Sequence, residues 1–138
     1  MNANNTKKLY EDFPDLFRGH TKSMQESLMC FGFEHNDGWF QLVYELSAQI
    51  DKYSKSKGIY PEVVQVKEKF GSLRYYVDGG DDEILKMCDA AERKSAETCE
   101  NCGAPGKLQR RGGWFATLCS LCGFERGFEE LPELEEDK

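Results

Sequence analysis

Apolar residues recur with a helical period in two stretches of this chain and with a strand period in a third. From Trp39 to about Lys57, Phe40, Val43, Leu46 and Ile50 lie on one helical stripe, widened by Leu42, Tyr44 and Tyr53. Lys52, Lys55 and Lys57 favour the C-terminal turns, and Gly58 suits the C-cap. Residues 62–77 alternate instead. Val64 and Val66 take turns with Gln65 and Lys67, then Leu73, Tyr75 and Val77 with Arg74 and Tyr76, so a β-hairpin turning near Gly71 is expected, apolar on the face of Val64 and Val66. After Asp78-Gly79-Gly80-Asp81-Asp82, a second helix is predicted over 83–97. Asp81 or Asp82 caps it, and Ile84, Cys88, Ala91 and Ser95 face inward.

The margins carry weaker signals. Residues 1–8 are polar and expected to fray. Leu9, Tyr10, Phe13, Leu16 and Phe17 predict a short helix that stops near Asp12, with a further turn from Pro14. Residues 18–23 read as a loop holding His20, and 23–33 as a short helix running into a buried bend at Gly32. Glu34-His35-Asn36-Asp37-Gly38 reads as a polar turn whose Asp37 can N-cap the helix after it. Leu108–Arg110 and Trp114–Leu118 predict two short strands joined by Arg111-Gly112-Gly113.

The cysteines change this picture most. Cys99-x-x-Cys102 and Cys119-x-x-Cys122 are two matched pairs with sixteen residues between them, and Gly103 and Gly123 follow directly. A Cys-x-x-Cys turn places two sulfurs on one side of a tight knuckle, and a glycine next to it is free to take φ > 0. Two facing knuckles close a tetrahedral four-thiolate site, for which one structural Zn²⁺ is the expected cofactor. Cys30 and Cys88 remain and read as small buried hydrophobes. The expected fold class is α+β: helices packed on a small antiparallel hairpin or sheet, with a C-terminal zinc ribbon behind the last helix. The expected division is a core over 1–97, a ribbon over 98–124 and an acidic tail over 125–138.

Charge and composition narrow the function. A net charge of −7 argues against a general nucleic-acid binder, which needs surplus Lys and Arg. No apolar run is long enough to span a bilayer, and no apolar stretch follows Met1–Lys8, so the expected compartment is a reducing cytoplasm. No His occurs after His35, which argues against a histidine-metal nuclease built on the knuckles. Four thiolates also leave no open coordination position for catalysis. Glu34, His35 and Asp37 make a weak acid–base set, since polar turns use the same residues. Asp78, Asp81 and Asp82 are explained by helix capping. No enzyme is expected.

Binding is the better home for function. Lys67, Lys69, Arg74 and Tyr76 share the hairpin's polar face, and the ribbon adds Lys107, Arg110 and Arg111 beside Trp114 and Phe115. Cations beside aromatic rings suit a phosphate, a nucleotide or a nucleic acid. The same residues equally make a solvated face.

Three strings carry a resemblance. Met29-Cys30-Phe31-Gly32-Phe33 leads to Asp37-Gly38-Trp39-Phe40. Val66-Lys67-Glu68-Lys69-Phe70-Gly71-Ser72-Leu73-Arg74-Tyr75-Tyr76-Val77 follows. Cys99-x-x-Cys102-Gly103-x-x-Gly106, Gly113-Trp114 and Thr117-Leu118-Cys119 complete it. Together they resemble a family of small uncharacterised bacteriophage and prophage proteins, over most of 28–123. The resemblance implies a setting, the host cytoplasm, rather than a mechanism. Phage accessory proteins of this size often bind and inactivate a host protein, or sequester a nucleotide signal of host defence. The leading expectation is thus a non-enzymatic protein that binds a host protein. The alternative is a nucleotide or nucleic-acid binder using Lys67, Lys69, Arg74, Tyr76, Arg110, Arg111 and Trp114.

Overall fold

The computed structural model describes residues 1–132, and the end of the expected acidic tail lies outside the described residues. The fold is α+β. In chain order it comprises α1 (Ala3–Asp12), β1 (Phe33–Glu34), α2 (Phe40–Lys57), β2 (Glu62–Lys69), β3 (Ser72–Asp78), α3 (Asp82–Ser95), β4 (Lys107–Arg111), β5 (Trp114–Leu118), α4 (Ser120–Glu125) and β6 (Glu129–Glu130). Single 3₁₀ turns cover Arg18–Thr21, Leu28–Phe31 and Asp37–Trp39. No described helix is long and apolar enough to cross a membrane.

Two small sheets organise the chain. The first runs β1-β2-β3, with β1 parallel to β2 and β2 antiparallel to β3. One face packs on α1, α2 and α3. The core there includes Leu9, Phe17, Met29, Trp39, Val43, Ile50, Val63, Val66, Leu73 and Ile84. Where α3 reaches the sheet, Ser95 Oγ accepts the Leu73 N–H at 2.9 Å and donates to the Glu92 carbonyl. A serine on the inner face of α3 therefore supplies the partner that the outer edge of β3 lacks.

Several expectations need correction. The hairpin carries a bulge between Val63 and Gln65, so Val63 and Val66 share the core face and Val64 does not. One extra residue reverses the alternation on its N-terminal side. Residues 1–8 do not fray. Asn2 caps α1 by accepting the Asn5 N–H at 2.8 Å, and the Met1 ammonium donates to the His35 carbonyl at 2.6 Å. Asp37 does not cap α2, because the 3₁₀ turn before the helix moves its start to Phe40. Its carboxylate turns to α1 instead, accepting from Asn2 N and from Asn5 Nδ2. Cys30 is exposed, since the turn Leu28–Phe31 points Met29 inward and Cys30 outward. Cys88 is half-buried, and burial pushes its thiol up to about 11.

The second sheet runs β5-β4-β6, and its core holds Cys99, Leu118 and Cys122, with Ala116, Cys119 and Phe128 against it. The first part of the expected tail belongs to this sheet: Glu129 pairs with Arg110 and Glu130 with Gln109. Opposite charge assists, with Glu130 3.1 Å from Lys107 Nζ. Hydrogen bonds join the two parts of the fold. Thr117 Oγ1 donates to the Gly71 carbonyl at 2.5 Å, and Trp39 Nε1 donates to the Thr98 carbonyl at 2.8 Å.

Candidate metal centre and the groove beside it

Each knuckle is built by its own backbone. After α3, Cys99 N–H donates to the Ala104 carbonyl at 2.7 Å, and Gly103 N–H to the Cys99 carbonyl at 2.9 Å. Gly103 sits at φ +83°, as the motif predicts. The second knuckle is a helix start. Cys119 is the N-cap of α4, its Sγ accepting from Cys122 N at 3.4 Å. Gly123 is needed for a different reason from Gly103. It lies inside α4, and a Cβ there would fall 1.9 Å from Gln109 Oε1. Gln109 is a residue that the sequence reading missed. It is buried at the centre of β4 and donates from Nε2 to the Leu118 and Cys119 carbonyls at 2.9 and 3.2 Å. A lone glutamine between basic residues gave no signal for this.

The fold brings Cys99, Cys102, Cys119 and Cys122 together, with all four sulfurs within 4.8 Å of one another. Cys102 Sγ and Cys119 Sγ are 3.7 Å apart. A tetrahedron with metal–sulfur bonds of about 2.3 Å has edges of about 3.8 Å. Cys99 and Cys122 are buried, Cys119 is partly exposed and Cys102 faces solvent. Burial opposes a thiolate at Cys99, but the N–H groups of Cys119, Cys102 and Asn101 outweigh it and lower its pKa to about 7. At Cys102 the Ala104 N–H favours the thiolate, yet the crowding of the other three sulfurs prevails and raises it to about 12. Four crowded sulfurs cannot all ionise unless a positive charge sits among them. The donor set thus fits a dication, and with four protein ligands such an ion is closed to substrate.

The other candidates scatter. Glu34 accepts from Gln65 on the outer sheet face, and Asp37 is occupied by α1. His35 is buried, its Nδ1 donating to the Asn36 carbonyl at 2.8 Å, and burial drives its pKa down to about 4. Asp81 caps α3 through Ile84 N and accepts from the Tyr53 hydroxyl. Among the described residues, the four cysteines are the group placed to hold a metal.

The proposed ligand-binding residues fall on different surfaces. Lys67, Lys69, Arg74 and Tyr76 line the outer face of β2 and β3, with Lys67 directly opposite Arg74. Glu92 stands 3.9 Å from Arg74. Arg110 and Arg111 are adjacent on β4 and so point to opposite faces. Arg111 donates to the Arg126 carbonyl at 2.9 Å and lies over the Phe128 ring. Trp114 shares a groove with Lys69, and the other walls are Glu68, Phe70, Gly113 and Phe115. The Thr117–Gly71 hydrogen bond holds the turn of the first hairpin against β5 of the second. Phe70 and Glu68 are walls that the sequence did not mark as binding residues. No protein-family model, curated protein or solved structure matches the chain, so the site's own residues carry its functional reading.

Proposed function

We propose that the protein is a non-enzymatic binding protein in which one structural Zn²⁺, on Cys99, Cys102, Cys119 and Cys122, stiffens the second sheet. The groove between the hairpin tips then docks a partner protein. Phe70 carries this reading. It is 69% exposed, yet it holds φ +52° at the first position of a two-residue turn, followed by Gly71 at +85°. Left-handed backbone costs a bulky residue about 1–2 kcal/mol, and Asn or Gly makes this turn more cheaply. Inside the chain the ring meets the Lys69 ammonium, 5.7 Å from its centroid, and a strained side chain left this exposed argues for a contact outside it. Trp114, 73% exposed, stands on the same groove, with Lys69 beside it. Exposed aromatic anchors next to a cation match the make-up of protein-docking hot spots. The resemblance to phage proteins supports a bacterial host protein as the partner, bound for host takeover or to blunt a defence.

One observation favours a second reading, a nucleotide or nucleic acid on the outer sheet face. Lys67 and Arg74 are like charges placed directly opposite, which an anion would relieve, although Glu92 at 3.9 Å from Arg74 already offsets part of it. Against it, Arg111 and Lys107 are already engaged within the second sheet.

Affinity capture from bacterial lysate, with the wild type and a Phe70→Asn/Trp114→Ala variant, tests the first reading. One stoichiometric protein held by the wild type and lost by the variant is the expected result. Equal recovery by both, or no stoichiometric protein, overturns it. Salt-sensitive oligonucleotide binding that disappears on Arg74→Glu would select the second reading.

A further inference from the structure

We propose that Asn101 and Arg126 act together to hold Cys122 on the metal, Asn101 by direct contact with the sulfur and Arg126 by positioning Asn101. The inference rests on the reading that the four cysteines hold a metal ion. Asn101 lies in the first knuckle, but its side chain crosses to the second, where Nδ2 is 3.2 Å from Cys122 Sγ. The orientation of this amide is fixed. Its Oδ1 accepts from the Arg126 guanidinium, which is a donor only, so the NH₂ end must face the sulfur.

Arg126 is itself pinned. Its N–H donates to the carbonyls of Cys122 and Gly123 at 3.1 and 3.2 Å, and its own carbonyl accepts from Arg111 Nη1 at 2.9 Å. The contacts form a closed ring: Cys122 sulfur, Asn101 amide, Arg126 guanidinium, and the backbone back to Cys122. Four thiolates around a dication leave a net negative charge on the centre. An N–H···S bond draws electron density from one of those sulfurs, and the Arg126 cation sits one group behind it. Both stabilise the negative charge on that sulfur, and the closed ring of contacts holds the Cys122 side chain in one orientation toward the other three sulfurs. Cys102 is exposed, and no side-chain N–H reaches its sulfur among the described residues. Release should therefore begin at Cys102 and be resisted at Cys122.

The test uses the full chain loaded with one equivalent of Zn²⁺ and mixed with a chromophoric chelator. Asn101→Ala and Arg126→Gln are expected to release the metal about ten- to a hundred-fold faster, the usual loss for a group that supports a metal ligand. Arg126→Lys keeps the charge without the fork and should recover part of the difference. Cobalt supplies a readout that a packing role would not move. In the Co²⁺-loaded Asn101→Ala variant the sulfur-to-cobalt charge-transfer band should shift to lower energy, because a sulfur without its N–H bond gives up an electron more readily. A wild-type release rate and an unmoved band, with one metal still bound, overturn the proposal. If Asn101→Ala fails to fold, the Arg126→Gln and Arg126→Lys pair decides by the same two readouts. A wild type that takes up no metal overturns the zinc reading itself, a different failure, and this inference with it.

Discussion

The Gly38 amide donates to the Glu100 carbonyl at 2.7 Å, so the loop before α2 is tied to the first knuckle backbone to backbone. Glu100 returns the contact, its Oε2 accepting from Asn36 N at 3.0 Å. The two sheets are thus joined where the chain approaches itself too closely for any side chain. A Cβ on Gly38 would fall 2.3 Å from the Cys99 carbonyl oxygen and 2.4 Å from that of Glu100.

Gly38→Ala must therefore move backbone rather than a flexible side chain. The expected cost is roughly 1–3 kcal/mol, in the range of overpacking a tight interior. A lower urea midpoint for the metal-loaded protein, with an unchanged denaturant slope, is the measurement that checks it. A midpoint equal to wild type would mean that the junction is looser than its distances indicate.

Removing the metal should loosen one sheet and spare the other. Among the described residues, the buried apolar cluster of the second sheet is Cys99, Leu118 and Cys122, two of which are proposed metal ligands, and the main apolar core includes none of them. A cluster that small cannot hold itself without the ion. With chelator, amide exchange should become fast across 98–130 and at Gly38, while α2, α3 and β2–β3 keep their protection. Cys99→Ser should reproduce this pattern.

Phe70→Asn should make the protein more stable and less functional at once. Asn tolerates the left-handed region, so the turn should gain about 1 kcal/mol. Partner binding should fall with loss of the exposed ring. Thermal denaturation beside a binding assay separates the two effects, and a less stable variant would remove the strain argument.

His35 predicts an acid sensitivity with a definite sign. Burial is the main cause that lowers its pKa from 6.5 to about 4, so the unfolded chain takes up a proton where the folded chain does not. Stability from this group is complete above pH 6.5 and is lost as the pH falls from there towards 4. Roughly 3 kcal/mol is at stake over that window. His35→Asn can still donate to the Asn36 carbonyl but carries no titratable ring, so its stability should be flatter with pH across the window. Glu100 and the thiolates, present in both proteins, cancel in the comparison. Parallel pH curves for the two would show that His35 is not held neutral.

Much of the fold could be read directly from the chain. The apolar stripe of Val43, Leu46 and Ile50, the alternation of Leu73 and Tyr75, and the turn at Gly71 depend on residues two to four apart, and such signals survive in sequence. The metal centre was legible for the same reason, because each Cys-x-x-Cys is a local turn. What was missed is set by distant partners. Phe33 and Glu34 form a strand only because β2 offers its edge in parallel, and no local pattern marks a two-residue strand. His35 looks like part of a polar turn until Phe33 and Trp39 close around it.

The amino-acid sequence alone therefore determined the two long helices, the hairpin and the four-cysteine set, through periodicity and spacing. Only the tertiary structure decided which surface is left to act. It folded Glu129 and Glu130 onto β4, sent Arg110 and Arg111 to opposite faces, and drew Phe70 and Trp114 to one groove. The physical reason is that exposure and proximity belong to pairs of segments. They are settled by what each segment buries against another, not by the residues next to it in the chain.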